Sequence, residues 1–133
     1  MLLYLLVTKY RELDVSRDAV KRSKKLTKLS AITNYIKENY TEDLSLETLA
    51  EIFGYSPAYL SRMFQKYAGI NYKSYLQGIR LEYAYRELLE TNHTISDTAL
   101  NNGFPNSKAF SKAFTEKYGR LPSEFRREQK KRF

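Results

Sequence analysis

The chain of 133 residues holds no cysteine and no tryptophan, and it has only one histidine, three prolines and five glycines. Without cysteine there is no disulfide, no thiolate zinc site and no cysteine nucleophile, and a reducing compartment is the natural fit. The single histidine, His93, excludes a His-rich metal site; in its TNHT connection it reads as a solvated loop residue. The few glycines and prolines fall between periodic segments and not inside them, which favours a mostly helical chain with short connections. Long apolar runs are also missing. The opening MLLYLLV gives way to Lys9, Arg11 and Glu12, so it is too short for a membrane span. It lacks the basic start and small-residue cleavage site of a signal peptide, and the expectation is a soluble, cytoplasmic protein with no membrane partner. No nucleophile–base pair, metal-ligand spacing or glycine-rich phosphate loop is found, and the adjacent carboxylates Glu42 and Asp43 read as solvent-facing. The expectation is therefore no enzyme, no catalytic residue, no metal and no cofactor.

A hydrophobic content of 42% is enough for a core, and the length suits one domain or two very small ones. The 23 Lys and Arg against 15 Asp and Glu leave a formal charge of +8, with pI near 9.6. Such a balance points to nucleic acid or an anionic membrane surface. Its distribution favours nucleic acid: Lys108 to Phe133 carries 9 basic and 3 acidic residues, whereas Ser45 to Leu100 is close to neutral.

Helical spacing of apolar residues divides the chain. Leu2 to Leu13 reads as a short amphipathic helix, and Arg17 to Lys28, with six basic residues and one acid, as a linker. That charge run is either a solvated stretch or an arm lying along DNA phosphates. Leu29, Ile32, Ile36 and Tyr40 restore the helical period. Ser45 then caps a helix whose inward residues are Leu46, Leu49, Ala50 and Phe53. Gly54 ends that helix, and Ser56 and Pro57 open the next, with Leu60, Phe64 and Tyr67 inward and Gly69 at its end. Tyr72 to Glu90 is the longest helix, with Tyr72, Tyr75, Leu76, Ile79, Tyr83 and Leu88 or Leu89 inward. Two helices joined by a Gly-containing turn form a helix-turn-helix unit.

The same pattern then returns. Thr94 with Asp97 makes a capping-box-like start. Ile95, Ala99 and Gly103-Phe104 match Leu46, Ala50 and Gly54-Tyr55 at an offset of 49. Beyond the turn the offset becomes 50: Ser111, Phe114 and Gly119 match Ser61, Phe64 and Gly69, and Phe125 matches Tyr75. The unit occurs twice, with one residue added to the second turn. Outward positions of both second helices are basic or small polar: Ser61, Arg62, Gln65 and Lys66 in the first, Lys108, Ser111 and Lys112 in the second. Arg and Lys donate to guanine O6 and N7, and Gln pairs with adenine. A rigid connection of about 28 Å, from nineteen residues at 1.5 Å each, suits two such helices entering successive major grooves about 34 Å apart.

From about Leu29 onward the chain resembles the C-terminal DNA-binding domain of the AraC/XylS family of bacterial transcription regulators. The likeness rests on LSLETLAEIFGYSPAYLSRMFQKYAGINYKSYL and on GFPNSKAFSKAFTEKYGRLPSEFRR. The resemblance implies an all-α fold of seven helices, with two helix-turn-helix subdomains joined by a long central helix. Ahead of it a short N-terminal helix and basic linker are expected over 1–28. The domain itself is expected over 29–133, with a first unit at about 29–70, a linking helix at 72–90 and a second unit at 94–133. It further implies a sequence-specific transcription regulator, most often an activator that contacts RNA polymerase. The matching base readers are Ala58, Ser61, Arg62 and Gln65 in the first unit and Ser107, Lys108, Ser111 and Lys112 in the second. Ser56, Lys66, Lys73 and Asn106 are expected phosphate contacts, and Arg80 a phosphate or structural contact.

Several residues depart from the family pattern. Thr98 stands where an aliphatic residue is usual and Asn102 where an apolar one is, so both are expected to weaken packing of the second unit. The second reading helix offers Lys where Arg is common, a point charge in place of a bidentate fork. The first unit is therefore expected to supply more of the discrimination, with Lys108 and Lys112 gripping phosphates. Leu2–Leu13 resembles the dimerising helix of a sensor domain, which implies a homodimer through 2–13. The chain reads either as a stand-alone short member or as a fragment of a longer regulator, with a truncated regulator acting as a protein-interaction module or non-specific DNA binder as the alternative function.

Overall fold

Nothing in the first fifty-three residues is a glycine or a proline; Gly54 and Pro57 are the first of each. Helix formation from the N-terminus therefore meets no backbone breaker until the Thr41–Ser45 region, where polar caps take over. In a computed structural model, which describes the backbone of residues 2–132 and the side chains of 17–131, a single helix α1 runs Leu2–Asn39. The expected short helix and basic linker are thus one continuous element. The stretch 17–28 lacks an apolar stripe, but its Lys, Arg, Ala and Leu residues are good helix formers. The apolar face of the amphipathic helix expected over Leu2 to Leu13 lies outside the residues whose side chains are described.

Six more helices follow: α2 (Leu46–Phe53), α3 (Pro57–Ala68), α4 (Tyr72–Glu90), α5 (Ile95–Asn101), α6 (Ser107–Tyr118) and α7 (Pro122–Arg132). Among the described residues there is no strand, and no helix is long and apolar enough to cross a membrane. The chain divides into two units, Met1–Asn34 and Tyr35–Phe133. In the first, Leu29 and Ile32 are buried, as their spacing predicts. The second holds both helix-turn-helix pairs.

Caps set the boundaries in this second unit. Ser45, Ser56, Asn71, Thr94 and Asn106 each place a side-chain oxygen where it accepts the amide of the third residue on, at 2.8–3.1 Å. Those bonds satisfy donors that a helix start leaves open. The Ser45, Ser56 and Thr94 starts follow from the sequence; the Asn71 and Asn106 caps were not among the expectations. Gly54 and Gly103 take left-handed backbone at φ 74 and 87, and close the first helix of each pair. Their spacing of 49 and the α3-to-α6 spacing of 50 reproduce the repeat.

Helix α4 carries two buried faces. Tyr72, Leu76 and Ile79 lie on one side, while Leu81, Ala84 and Leu88 lie on the other. At about 100° per residue the two sets are centred roughly 150° apart, so α4 is a shared wall. On the first side Phe64 meets Tyr72 and Tyr75, with ring centroids at 5.5 and 5.4 Å. On the second, Leu81, Ala84 and Leu88 join Ala99, Phe104, Phe110, Ala113, Phe114 and Phe125 in one core. The expected single stripe covers the first face and the end of the second; Leu81 and Ala84 were missed, and Leu89 is exposed.

The two departures from family pattern behave differently. Asn102 is buried but bonded: its Nδ2 donates to the Thr98 carbonyl at 2.8 Å and its Oδ1 accepts from the Tyr40 hydroxyl at 3.3 Å. It adds a tie to the second unit, contrary to the expectation of weaker packing. Thr98 is fully buried, and its hydroxyl has no partner.

Candidate nucleic-acid interface

Helix α3 is twelve residues long, with its first turn fixed by Ser56 and by Pro57 at the first helical position. Leu60, Met63 and Phe64 are buried, which sets the rotation of the helix about its axis. Ala58, Ser61, Arg62 and Gln65 consequently occupy an arc of about 100° on the opposite side. Ala58, Arg62 and Gln65 are exposed and Ser61 is half-buried. Lys66 stands exposed at the edge of that arc, with its Nζ 5.4 Å from the centroid of the Tyr67 ring.

Helix α6 repeats the arrangement. Phe110, Ala113 and Phe114 are buried, and Lys108, Ser111 and Lys112 take the arc that Ala58, Ser61 and Arg62 take in α3. Lys108 and Lys112 are exposed and Ser111 half-buried. Ser107 is half-buried at the first helical position, at the margin of the arc. The register of Gln65 belongs to Thr115, a residue the sequence reading passed over; carrying the offset of 50 one turn further finds it. Its hydroxyl donates to the Arg120 carbonyl at 3.3 Å, so it is engaged within the protein.

Ser56 and Asn106 sit at the N-terminal ends of these helices, where the backbone dipole favours an anion. Each uses an oxygen as cap acceptor, which leaves the Ser56 hydroxyl proton and the Asn106 Nδ2 as donors. Lys73 is exposed on the first turn of α4, where it lines a hollow together with Ser61, Asn71 and Leu44. Tyr72 lines the same hollow and donates its hydroxyl to the Leu44 carbonyl at 2.6 Å. Burial pushes the Tyr72 hydroxyl up to about 12, against a smaller lowering by Arg80.

Arg80 is committed to structure. Its Nε donates to the Tyr40 carbonyl at 2.8 Å and its Nη2 to the Glu42 carbonyl at 2.7 Å. Burial lowers its pKa, with Tyr72 and Asp43 acting the other way. Of the two roles expected for this residue, the structural one accounts for these contacts. Arg126 plays a comparable part at the end of α4, where it donates to the Leu88 carbonyl at 3.2 Å and also to the carbonyl of His93.

A protein-family model described as a helix-turn-helix domain matches residues 49–128. The chain is 40% identical over 99 residues to the bifunctional transcriptional activator/DNA repair enzyme AdaA of Bacillus subtilis, which covers 74% of this chain and 47% of that relative. It thus spans about half of that relative's length. A solved AraC-type transcriptional regulator from Chromobacterium violaceum superposes with a TM-score of 0.72 at 27% identity, over 80% of this chain and 96% of that one. The DNA-binding domain of AdpA, solved with a target DNA, shares the fold with a TM-score of 0.75 at 24% identity, over 78% of this chain and 94% of its own. Two capped helix pairs on one shared helix, an AraC-type solved neighbour and a matched helix-turn-helix model converge: the chain belongs to the AraC/XylS family of transcription-regulator DNA-binding domains.

Proposed function

We propose that the chain is a sequence-specific promoter-binding regulator that lays α3 and α6 in successive major grooves of double-stranded DNA. The observation that carries this reading is the matched register of the two helices. Each turns a buried aromatic face inward and sets a polar, partly basic arc outward at positions exactly one repeat apart, 58, 61 and 62 against 108, 111 and 112. Ala58, Ser61, Arg62 and Gln65 read bases in the first groove. Ser107, Lys108, Ser111 and Lys112 approach the second, where the two lysines chiefly grip phosphates. Ser56, Lys66, Lys73 and Asn106 hold the backbone. AdpA, solved with a target DNA, lends the fold-level support, and AdaA, named a transcriptional activator, supports activation; contact with RNA polymerase is part of the proposal. Catalysis has no part in this reading, nor have a metal or a cofactor. The proposed DNA-reading domain is 29–133, and 2–13 is the proposed segment for pairing with a second copy.

A salt-titrated binding assay on a promoter fragment against random duplex tests the reading. The regulator binds the promoter fragment more tightly, and affinity falls steeply as salt rises. Arg62→Ala relaxes base preference and costs about 1–3 kcal/mol on the preferred site. Lys112→Ala lowers the salt slope by about one and leaves preference nearly unchanged. Equal weakening of all sequences by Arg62→Ala would make that residue a phosphate contact and reverse the assigned orientation of α3.

A further inference from the structure

The two helix-turn-helix units meet directly, and not only through α4. Tyr40 follows α1 just ahead of the first helix-turn-helix pair, and its hydroxyl donates to Asn102 Oδ1 in the turn of the second pair at 3.3 Å. The Tyr40 ring stacks on Tyr83 of α4, with centroids 4.4 Å apart and planes within 10°. The Arg80 guanidinium lies one turn earlier on α4 and binds the Tyr40 and Glu42 carbonyls. Those carbonyls follow a helix C-terminus, where a cation is favoured. Gly103 closes the contact from the other side: a Cβ there would stand 2.7 Å from both Arg80 Nε and the Tyr40 oxygen. Gly54, at the same place in the first unit, has nothing within 4 Å of such an atom. Asn102 Nδ2 also reaches Glu87 Oε1 of α4 at 3.4 Å, and Asn101 Nδ2 reaches Glu87 Oε2 at 3.2 Å.

Apolar packing on opposite sides of one helix holds both helix-turn-helix pairs against it. Directional hydrogen bonds between partly buried groups select one geometry. We propose that this joint fixes the rotation and separation of α3 relative to α6, and so selects the number of base pairs between the two half-sites. Tyr40, Arg80 and Asn102 are then positioning residues. The inference rests on the reading of α3 and α6 as major-groove helices. Half-sites for such helices lie about one DNA turn apart, so one base pair more or less displaces the second groove by about 3.4 Å and rotates it by about 35°. A rigid joint cannot follow that change, and a loosened one can.

The test starts from the duplex that the intact chain selects from a random pool, remade with one base pair inserted or deleted between its half-sites. The intact chain loses about tenfold or more in affinity for either altered spacing. Tyr40→Phe keeps the ring stack and removes the cross-unit donor. This variant binds the parent duplex within a few-fold of the intact chain, and its spacing penalty shrinks to about threefold or less. Arg80→Lys gives the same direction, and urea unfolding of each variant checks that it is folded at the assay temperature. An unchanged spacing penalty in folded Tyr40→Phe overturns the proposal. So does an intact chain that selects a duplex yet tolerates altered spacing. If the pool yields no preferred duplex, the DNA reading falls first and the spacing role falls with it.

Discussion

Thr98 shows how one atom separates a residue that fits from one that is merely enclosed. The side chain is fully buried on α5, and its hydroxyl finds no hydrogen-bond partner. A buried hydroxyl left without a partner costs about 1–3 kcal/mol, whereas a methyl in its place costs nothing of that kind. Thr98→Val should therefore stabilise the fold by about 1 kcal/mol, seen as a higher urea midpoint at unchanged slope. A lower midpoint would mean that the hydroxyl is satisfied after all. Asn102, one turn on, makes the contrast: a polar residue equally enclosed, but with both ends of its amide bonded. Sequence alone marked both residues as out of pattern and treated them alike. The difference lies in partners 62 and 15 positions away, Tyr40 and Glu87, which no local pattern reports.

At the scale of elements, the legible parts were those with punctuation. Ser45, Ser56 and Thr94 at the starts, and Gly54, Gly69 and Gly119 at the ends, mark α2, α3, α5 and α6 in the sequence. The outward placing of Ser61, Arg62, Gln65, Lys108, Ser111 and Lys112 followed, because an inward stripe fixes the opposite arc, whereas Ala58 and Ser107 came from the family resemblance alone. Illegible parts had no such marks. The basic segment 17–28 reads as a linker when helices are sought by apolar periodicity, yet its residues form helix through backbone propensity. Arg126 was equally hidden, and Arg80 stood between a phosphate and a structural role, since a guanidinium bound to distant carbonyls looks like any surface charge in a sequence. The two turns invite a paired test. Both Gly54 and Gly103 have positive φ, so alanine strains each, by about 1 kcal/mol. Only at Gly103 does the added carbon also collide with Arg80 and the Tyr40 carbonyl. Gly103→Ala should cost about 2 kcal/mol more than Gly54→Ala in equilibrium unfolding, and equal costs would show that the turn relaxes away from Arg80.

For the molecule as a whole, the shared wall governs cooperativity. The first unit's core needs Tyr72, Leu76 and Ile79, and the second's needs Leu81, Ala84 and Leu88, all on α4. Loss of either core removes packing that keeps α4 helical for the other. Residues 35–133 should thus unfold in one transition, with tyrosine fluorescence and far-ultraviolet circular dichroism coinciding in urea. Two separated transitions would mean that the units fold independently and that α4 is only a tether.

The two-sided character of α4 also determines how many units the chain can stack. By the offset of 50, α7 is the second copy of α4, with Phe125 in the place of Tyr75 and, like it, in the aromatic cluster beside Phe114 or Phe64. The copy is incomplete in one respect. Where α4 presents Leu81 to a following unit, α7 presents exposed Lys131, preceded by exposed Arg127 and Lys130. A third pair would have to bury those charges without partners, which is prohibitive. Over its described residues α7 thus packs on one side only, where α4 packs on both: one face carries Phe125 into the core and the other carries exposed charge.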